Sequence, residues 1–306
     1  MNIKFYYPNF TRKTLTFTID DGNIPMDEKF ISIVKPYGIK GTFNLCTHST
    51  DKMSAAEYRK FYEGYEIANH CKYHPHAFRD DTEYVFSKEP FNPENKSSED
   101  LYLCPDFDEM YYMWNGKYWT AFATDDFYVK CALDCHKELE EIFGEGSVRS
   151  YVWPFSEQQN ENVKARIKNL GLDYYGVRKT GAVLDSTGYA LPADWNAWSY
   201  NCADKNLLEQ AAKYEAYEDD GELKFFAFGL HSVDYERDGT WGDLATFAEK
   251  YGNRPNDFWY ATVGEIYDYS KATERVYVEN GVVHNPTAAR IYAEIDGKKT
   301  ILEPEI

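Results

Sequence analysis

The sequence predicts an α/β fold, a distorted (β/α)7-8 barrel, on three observations. Short β-rich runs alternate with amphipathic helical stretches, several of those stretches stop at a glycine, and 306 residues suffice for one large core. Runs at 14–19 (TLTFTI), 41–46, 65–69, 148–153, 173–177, 224–231 and 257–262 have the β-branched and aromatic content of strands. Helices are expected over 26–37, 54–63, 127–143, 158–170, 204–217, 241–251 and 263–272, with Gly38, Gly64, Gly144 and Gly171 as stops. Strand–helix–strand repetition calls for a parallel sheet, and about seven units favour closure over an open sheet. The expected organisation is a barrel over 1–272 and a β-rich extension over 273–306 packed on it.

Two stretches break this rhythm. Residues 77–126 are acidic and aromatic, with Pro90, Pro93 and Pro105 interrupting any period, and are expected to form a long inserted loop, either a surface excursion or a lid. In 273–306, Asn280-Gly281 and Asp296-Gly297 are hairpin signals, which makes this segment a small β appendage.

Composition narrows the function classes. Aromatic residues are 17% of the chain, which excludes a chain too polar to collapse. A net charge of −18 excludes partners bound through phosphate contacts, so neither nucleic acid nor an anionic membrane is expected. No run approaches the length of a membrane span and the N-terminus lacks a leader pattern, so the expectation is a cytoplasmic protein, or a secreted one if a leader was trimmed. Six scattered cysteines are expected to be reduced, and Cys131 and Cys135 to be buried thiols of a helix. The sequence assigns no oligomeric state.

The chemistry concentrates in two segments. In TFTIDDG (16–22) an alternating strand ends in two adjacent carboxylates, whose side chains point in different directions and so can divide two tasks. In NHCKYHPH (69–76), His70 and His74 have i, i+4 spacing, close enough to converge on one ion over a helical turn. One carboxylate with two imidazoles leaves positions open for water and substrate, as catalytic metals require. His76 is expected beside the site, not in it.

These segments resemble the Thr-Phe-Asp-Asp-Gly and His-x-x-x-His-Pro motifs of the polysaccharide deacetylase (NodB-like, carbohydrate esterase family 4) family. GIKGTFN (38–44) resembles the segment those proteins carry between the two. Looser matches follow in order: VWPFS (152–156), DWNAW (194–198), GLHS (229–232) and WYATVGEIYDY (259–269).

The resemblance implies a deacetylase barrel in which Asp21, His70 and His74 hold a divalent ion, zinc by expectation, and Asp20 is the general base. It implies His231 as general acid and a backbone N–H in the Trp153-Pro154-Phe155 turn as oxyanion donor. The implied substrate is an acetylated amino sugar, oligosaccharide or polysaccharide. Alternatives are an amidohydrolase of the same fold acting on a non-sugar C–N bond and a non-catalytic carbohydrate-binding relative; the intact Asp20 argues against the latter. The family's third motif supplies an arginine where this chain has Val152, and its tyrosine is Phe155. Arg149 and Arg178 are the candidates to stand in, and Asp194 to orient His231. Of Trp114, Trp119, Trp153, Trp195 and Trp198, most are expected to pack in the core and one or two to stack on sugar rings, Trp153 first.

Overall fold

The computed structural model describes residues 1–49, 53–79, 81–96, 100–156, 160–177, 189–218 and 220–305. The expected class holds, and the parallel strands form a curled half-barrel of the distorted barrel type. The eight-stranded sheet runs Tyr174–Gly176, Ser150–Val152, Glu66–Asn69, Gly41–Leu45, Thr14–Asp21, Ala227–His231 and Cys202–Ala203. Trp259–Tyr260 pairs with Thr14 and Leu15 at the start of the Thr14–Asp21 strand. All seven strand runs read from the sequence are strands.

The chain divides into two compact units, 1–43 with 62–66 and 181–306, and 44–61 with 67–180. In the first, Phe17 of the Thr14–Asp21 strand meets Phe30 at 5.2 Å, Phe228 at 5.1 Å and Phe247 at 5.5 Å between ring centroids, all four fully buried. The Ile24–Val34 helix is started by Asn23, whose side chain accepts from the Met26 N–H, and by Pro25 in its first turn. It buries Phe30, Ile31 and Val34 on one face. Gly229 sits in the Ala227–His231 strand because a Cβ there would lie 2.4 Å from the Tyr200 ring. A helix not expected from the sequence, Ser232–Asp238, follows that strand directly. Both predicted hairpins form, Tyr277–Glu279 with Val282–His284 and Ile291–Ile295 with Lys298–Leu302, and their Asn-Gly and Asp-Gly pairs all have positive φ. Ile3–Tyr6 adds a third strand to the second hairpin.

In the second unit the Asp125–Phe143 helix is capped by Thr124, whose side chain accepts from the Phe127 N–H. It buries Tyr128, Cys131, Cys135 and Leu139 and stops at Gly144, φ 111°. All six cysteines are free thiols, and Cys131 and Cys135 are buried as expected. The long insertion is not a loop. It holds a five-stranded sheet in the order His76–Ala77, Trp119–Ala123, Met110–Trp114, Asp100–Leu103 and Val85–Phe86. Among the described residues no helix is long and apolar enough to cross a membrane.

Candidate functional site

In the first unit, the Thr14–Asp21 strand is buried along almost its whole length and delivers Asp20 and Asp21 at its end. Asp20 is buried, and in the parallel neighbour its register partner is His231, the last residue of the Ala227–His231 strand. Asp21 turns away from the strand direction, with φ 76° ahead of Gly22, also at 76°. Its Oδ2 lies 3.7 Å from His231 Nε2.

The other nitrogen of His231 is fixed. Nδ1 lies 3.0 Å from Asp234 Oδ2, which also accepts the His231 backbone N–H at 3.1 Å. Arg237 Nη1 donates to the second oxygen of Asp234 at 2.6 Å. A carboxylate can only accept when ionised, so Nδ1 carries a proton and Nε2 is the nitrogen left for chemistry. Burial acts to raise the Asp234 carboxyl, but its bonds with His231 and the Arg237 charge hold it below the usual carboxylate range.

Behind this pair lies Asp27, fully buried in the first turn of Ile24–Val34. It accepts from Ser232 Oγ at 2.5 Å and from the Tyr62 hydroxyl at 2.8 Å. Burial pushes its carboxyl up to about 7, against the lowering effect of those two hydrogen bonds and with help from the Asp21 charge. The bond to Ser232 ties the turn that follows Asp21 to the turn that follows His231.

In the second unit, the Glu66–Asn69 strand runs into His70. Asn69 fixes the exit: its Nδ2 donates to the Ala132 carbonyl at 2.8 Å and its Oδ1 accepts from the Cys71 N–H at 2.9 Å. His70 is buried, and its Nδ1 lies 2.7 Å from the Val152 carbonyl. A carbonyl only accepts, so this contact fixes the proton on Nδ1 and puts the ring's lone pair on Nε2. His74 Nε2 stands 3.1 Å from that atom. The turn between the two histidines is no regular helix, because Cys71 (φ 66°) and His74 (φ 49°) are left-handed. Phe155 is left-handed as well, at φ 53°; its ring stacks on His76 at 3.5 Å and 8° and meets the edge of His74 at 4.4 Å. Non-glycine residues adopt this region rarely, and it clusters where a site over-determines the backbone.

One carboxylate oxygen of Asp21 and one ring nitrogen each of His70 and His74 lie within 4.8 Å of one another. The donor set fits a divalent cation on its chemistry: one anionic oxygen and two imidazole nitrogens, with the His70 tautomer set by a carbonyl as metal-binding histidines require. These residues form a candidate divalent-metal site.

Several sequence expectations need correction. Trp153 is core, not a sugar platform: it is 1% exposed and packs on Tyr128 and Tyr151. Trp195 and Trp198 are also buried. Trp114 and Trp119 pack on each other at 5.7 Å, and the Trp119 indole N–H donates to the Pro93 carbonyl. Arg149 precedes the Ser150–Val152 strand, at the end opposite Trp153, and its Nε is bound to Asp173 at 2.5 Å; a strand of three residues carries it away from the strand exit where function resides. Arg178 lies outside the described residues. Asp194 caps its own short turn, accepting from Asn196, while Asp234 takes the Nδ1 of His231. Sequence reasoning missed Asp234, Arg237, Asp27 and Ser232. The His231-Ser-Val-Asp234 spacing, a helix start with an acid at its third position, was the available signal.

Comparison with known proteins decides the family. The model of the polysaccharide deacetylase family matches residues 8–175, more than half of the chain. The chain belongs to the polysaccharide deacetylase family. It is therefore a hydrolase of the deacetylase type. The fold is shared with a protein assigned as a polysaccharide deacetylase from Mycobacterium smegmatis, at 14% identity over 91% of this chain and 98% of that one, with a TM-score of 0.54. Other similar structures are a family 4 acetyl xylan esterase from Clostridium thermocellum in complex with a cobalt ion (14% identity, 85% and 92% of the chains, TM-score 0.48) and the peptidoglycan deacetylase PdaC from Bacillus subtilis (13%, 86% and 94%, 0.47). No curated protein sequence matches the chain.

Proposed function

We propose that this deacetylase removes acetyl groups from N- or O-acetylated sugar units, with Asp20 as general base, His231 as general acid, and Asp21, His70 and His74 as ligands of a zinc ion. The observation that carries this reading is the convergence of one carboxylate and two imidazoles, with the Asp20 and His231 strand positions in register beside Asp21. A zinc ion held there would supply a Lewis acid able to polarise the acetyl carbonyl and ease ionisation of water.

The chain's own residues then do the following. Asp20 takes the proton from the water that attacks the carbonyl carbon. The Phe155 backbone N–H donates to the oxygen that gains negative charge, a task independent of the side chain that replaces the family tyrosine. His231, protonated on both nitrogens and stabilised by Asp234, gives its Nε2 proton to the departing amine or alcohol as the C–N or C–O bond breaks. Acetate and the free sugar amine or hydroxyl are the products.

The test is acetate release from acetylated chito-oligosaccharides, acetylated xylan and simple acetamides, alongside metal analysis of the unaltered protein, Asp21→Ala and His74→Ala. Acetate from a sugar substrate, with zinc bound by the unaltered protein and lost from both variants, is the expected result. Release from simple acetamides alone overturns the sugar assignment, and full metal retention in both variants overturns the ligand set.

A further inference from the structure

The five-stranded sheet of residues 76–123 has one face committed to a buried cluster and a second face that covers Leu101 and Phe122 but reaches the surface at Leu103 and Phe86. Ala77, Met110 and Ala123 point to one side, where they join Phe127, Cys104 and Tyr128 in a buried cluster. Register places the other side as two rungs. His76, Phe122, Tyr111 and Leu103 are partners across four strands, and Met113, Leu101 and Phe86 form the next rung.

The second side ends in exposed apolar groups: Phe86 is 51% exposed, Leu103 43% and Phe155 41%. Rings on this side form an unbroken series that starts at His74. Phe155 meets His74 and lies flat on His76; His76 stacks on Phe122 at 4.9 Å. Phe78 meets Phe122 at 5.7 Å, Tyr111 at 5.8 Å and Phe86 at 5.9 Å, and Phe86 meets Tyr111 at 5.1 Å. Tyr84 leans on Phe78 and Phe122.

We propose that this aromatic face is a binding platform for an extended run of uncharged pyranose rings, so that the substrate is an oligosaccharide or polysaccharide chain lying across several strands. Three features select this occupant. The ring series is continuous with His74, so a ligand on it leads to the site. Phe86 and Phe155 are about half exposed and Phe78, Tyr84 and Tyr111 partly so; their rings offer apolar faces, and the tyrosines add a hydroxyl edge, which match the alternating C–H and hydroxyl surfaces of sugars. The net charge of −18 disfavours a polyanion, and a neutral chain meets no such repulsion. Five strands at the usual spacing span roughly 19 Å, the length of several linked rings and far more than one sugar needs.

The inference rests on the deacetylase reading for its chemistry, but its test reads binding. Isothermal titration measures two-unit and six-unit oligomers of N-acetylglucosamine and of xylose on the unaltered protein, Phe86→Ala and Phe86→Trp. In at least one series the six-unit oligomer is expected to bind about tenfold more tightly than the two-unit one. Phe86→Ala removes most of that advantage and Phe86→Trp, which keeps a ring, preserves it. Equal affinity at both lengths in both series overturns the platform, as does a Phe86→Ala protein that keeps the full length dependence. Length-dependent binding without acetate release from any sugar leaves the platform standing and removes the deacetylase reading; acetate release without length dependence does the reverse.

Discussion

The two compact units present their functional residues by different physical means. In the first, Asp20 and His231 lie at the ends of paired parallel strands, Asp21 leaves its strand with a left-handed φ of 76°, and hydrogen bonds to buried carboxylates hold the turns that follow: His231 and Arg237 to Asp234, Ser232 to Asp27. In the second, His74 and Phe155 are placed by left-handed backbone and ring stacking. His70 shares the second style in part, because its partner is a main-chain carbonyl. The lesson is that left-handed backbone occurs in both halves of the candidate site, but only the first adds a network of titratable side chains to hold it. The first half should yield to isosteric amides and to pH, and the second to changes in what φ a residue tolerates.

The sharpest break is Asp20→Asn. Loss of the base lowers kcat by about 10²–10⁴-fold with the melting temperature little changed; turnover within twofold of the unaltered protein on the same substrate would remove Asp20 from its role. Next comes Asp27. Its carboxyl titrates near 7 when folded and near 4 when unfolded, so between those values the folded state binds the extra proton. Stability therefore falls as pH rises from about 4 to 7, by up to about 4 kcal/mol, and Asp27→Asn flattens that slope. Urea unfolding at pH 4.5, 5.5 and 7 reads it directly, and parallel slopes in both proteins would refute the assignment.

Asp234 carries the opposite sign. Its folded carboxyl lies below the unfolded value, so its stabilisation is present above about pH 4 and is lost as pH falls through the folded value. Asp234→Asn lowers kcat by roughly 10–100-fold and moves the alkaline limb of the kcat profile to lower pH, since the carboxylate no longer stabilises the protonated His231. An unmoved limb would leave Asp234 a helix cap only. The smallest effect tests the backbone half. Phe155→Val places a β-branched residue at φ 53° and costs about 1–3 kcal/mol of stability, whereas Phe155→Gly relieves the backbone and loses only the ring contacts. Thermal unfolding that ranks the valine variant at or above the glycine one would show that stacking, not conformation, sets this turn.

Much of the first half was legible in the sequence. The period-two pattern of Leu15, Phe17 and Ile19 identified a buried strand, and a strand that ends in Asp20-Asp21-Gly22 advertises its exit. The i, i+4 pair of His70 and His74 was also readable, although its convergence comes from two left-handed residues and not from a helical turn. Asp234 was hidden because the partner of His231 sits across a strand-to-helix junction, where neither period applies, and the motif order pointed to Asp194. The insertion read as a loop because its strands are two to five residues long and prolines separate some of them. Trp153 misled because a large aromatic side chain beside a strand exit has two uses, and burial chose packing.

Position 152 has a consequence for how such chains diversify. The family's arginine is absent there, yet the residue still serves the site through its carbonyl on His70. Every amino acid brings that oxygen, so the contact survives any substitution that keeps the strand. Position 152 can thus exchange Val for any side chain its buried place admits without loosening the imidazole. Searches keyed to the arginine would pass over relatives whose metal end is sound, and such relatives are where altered substrate preference has room to arise.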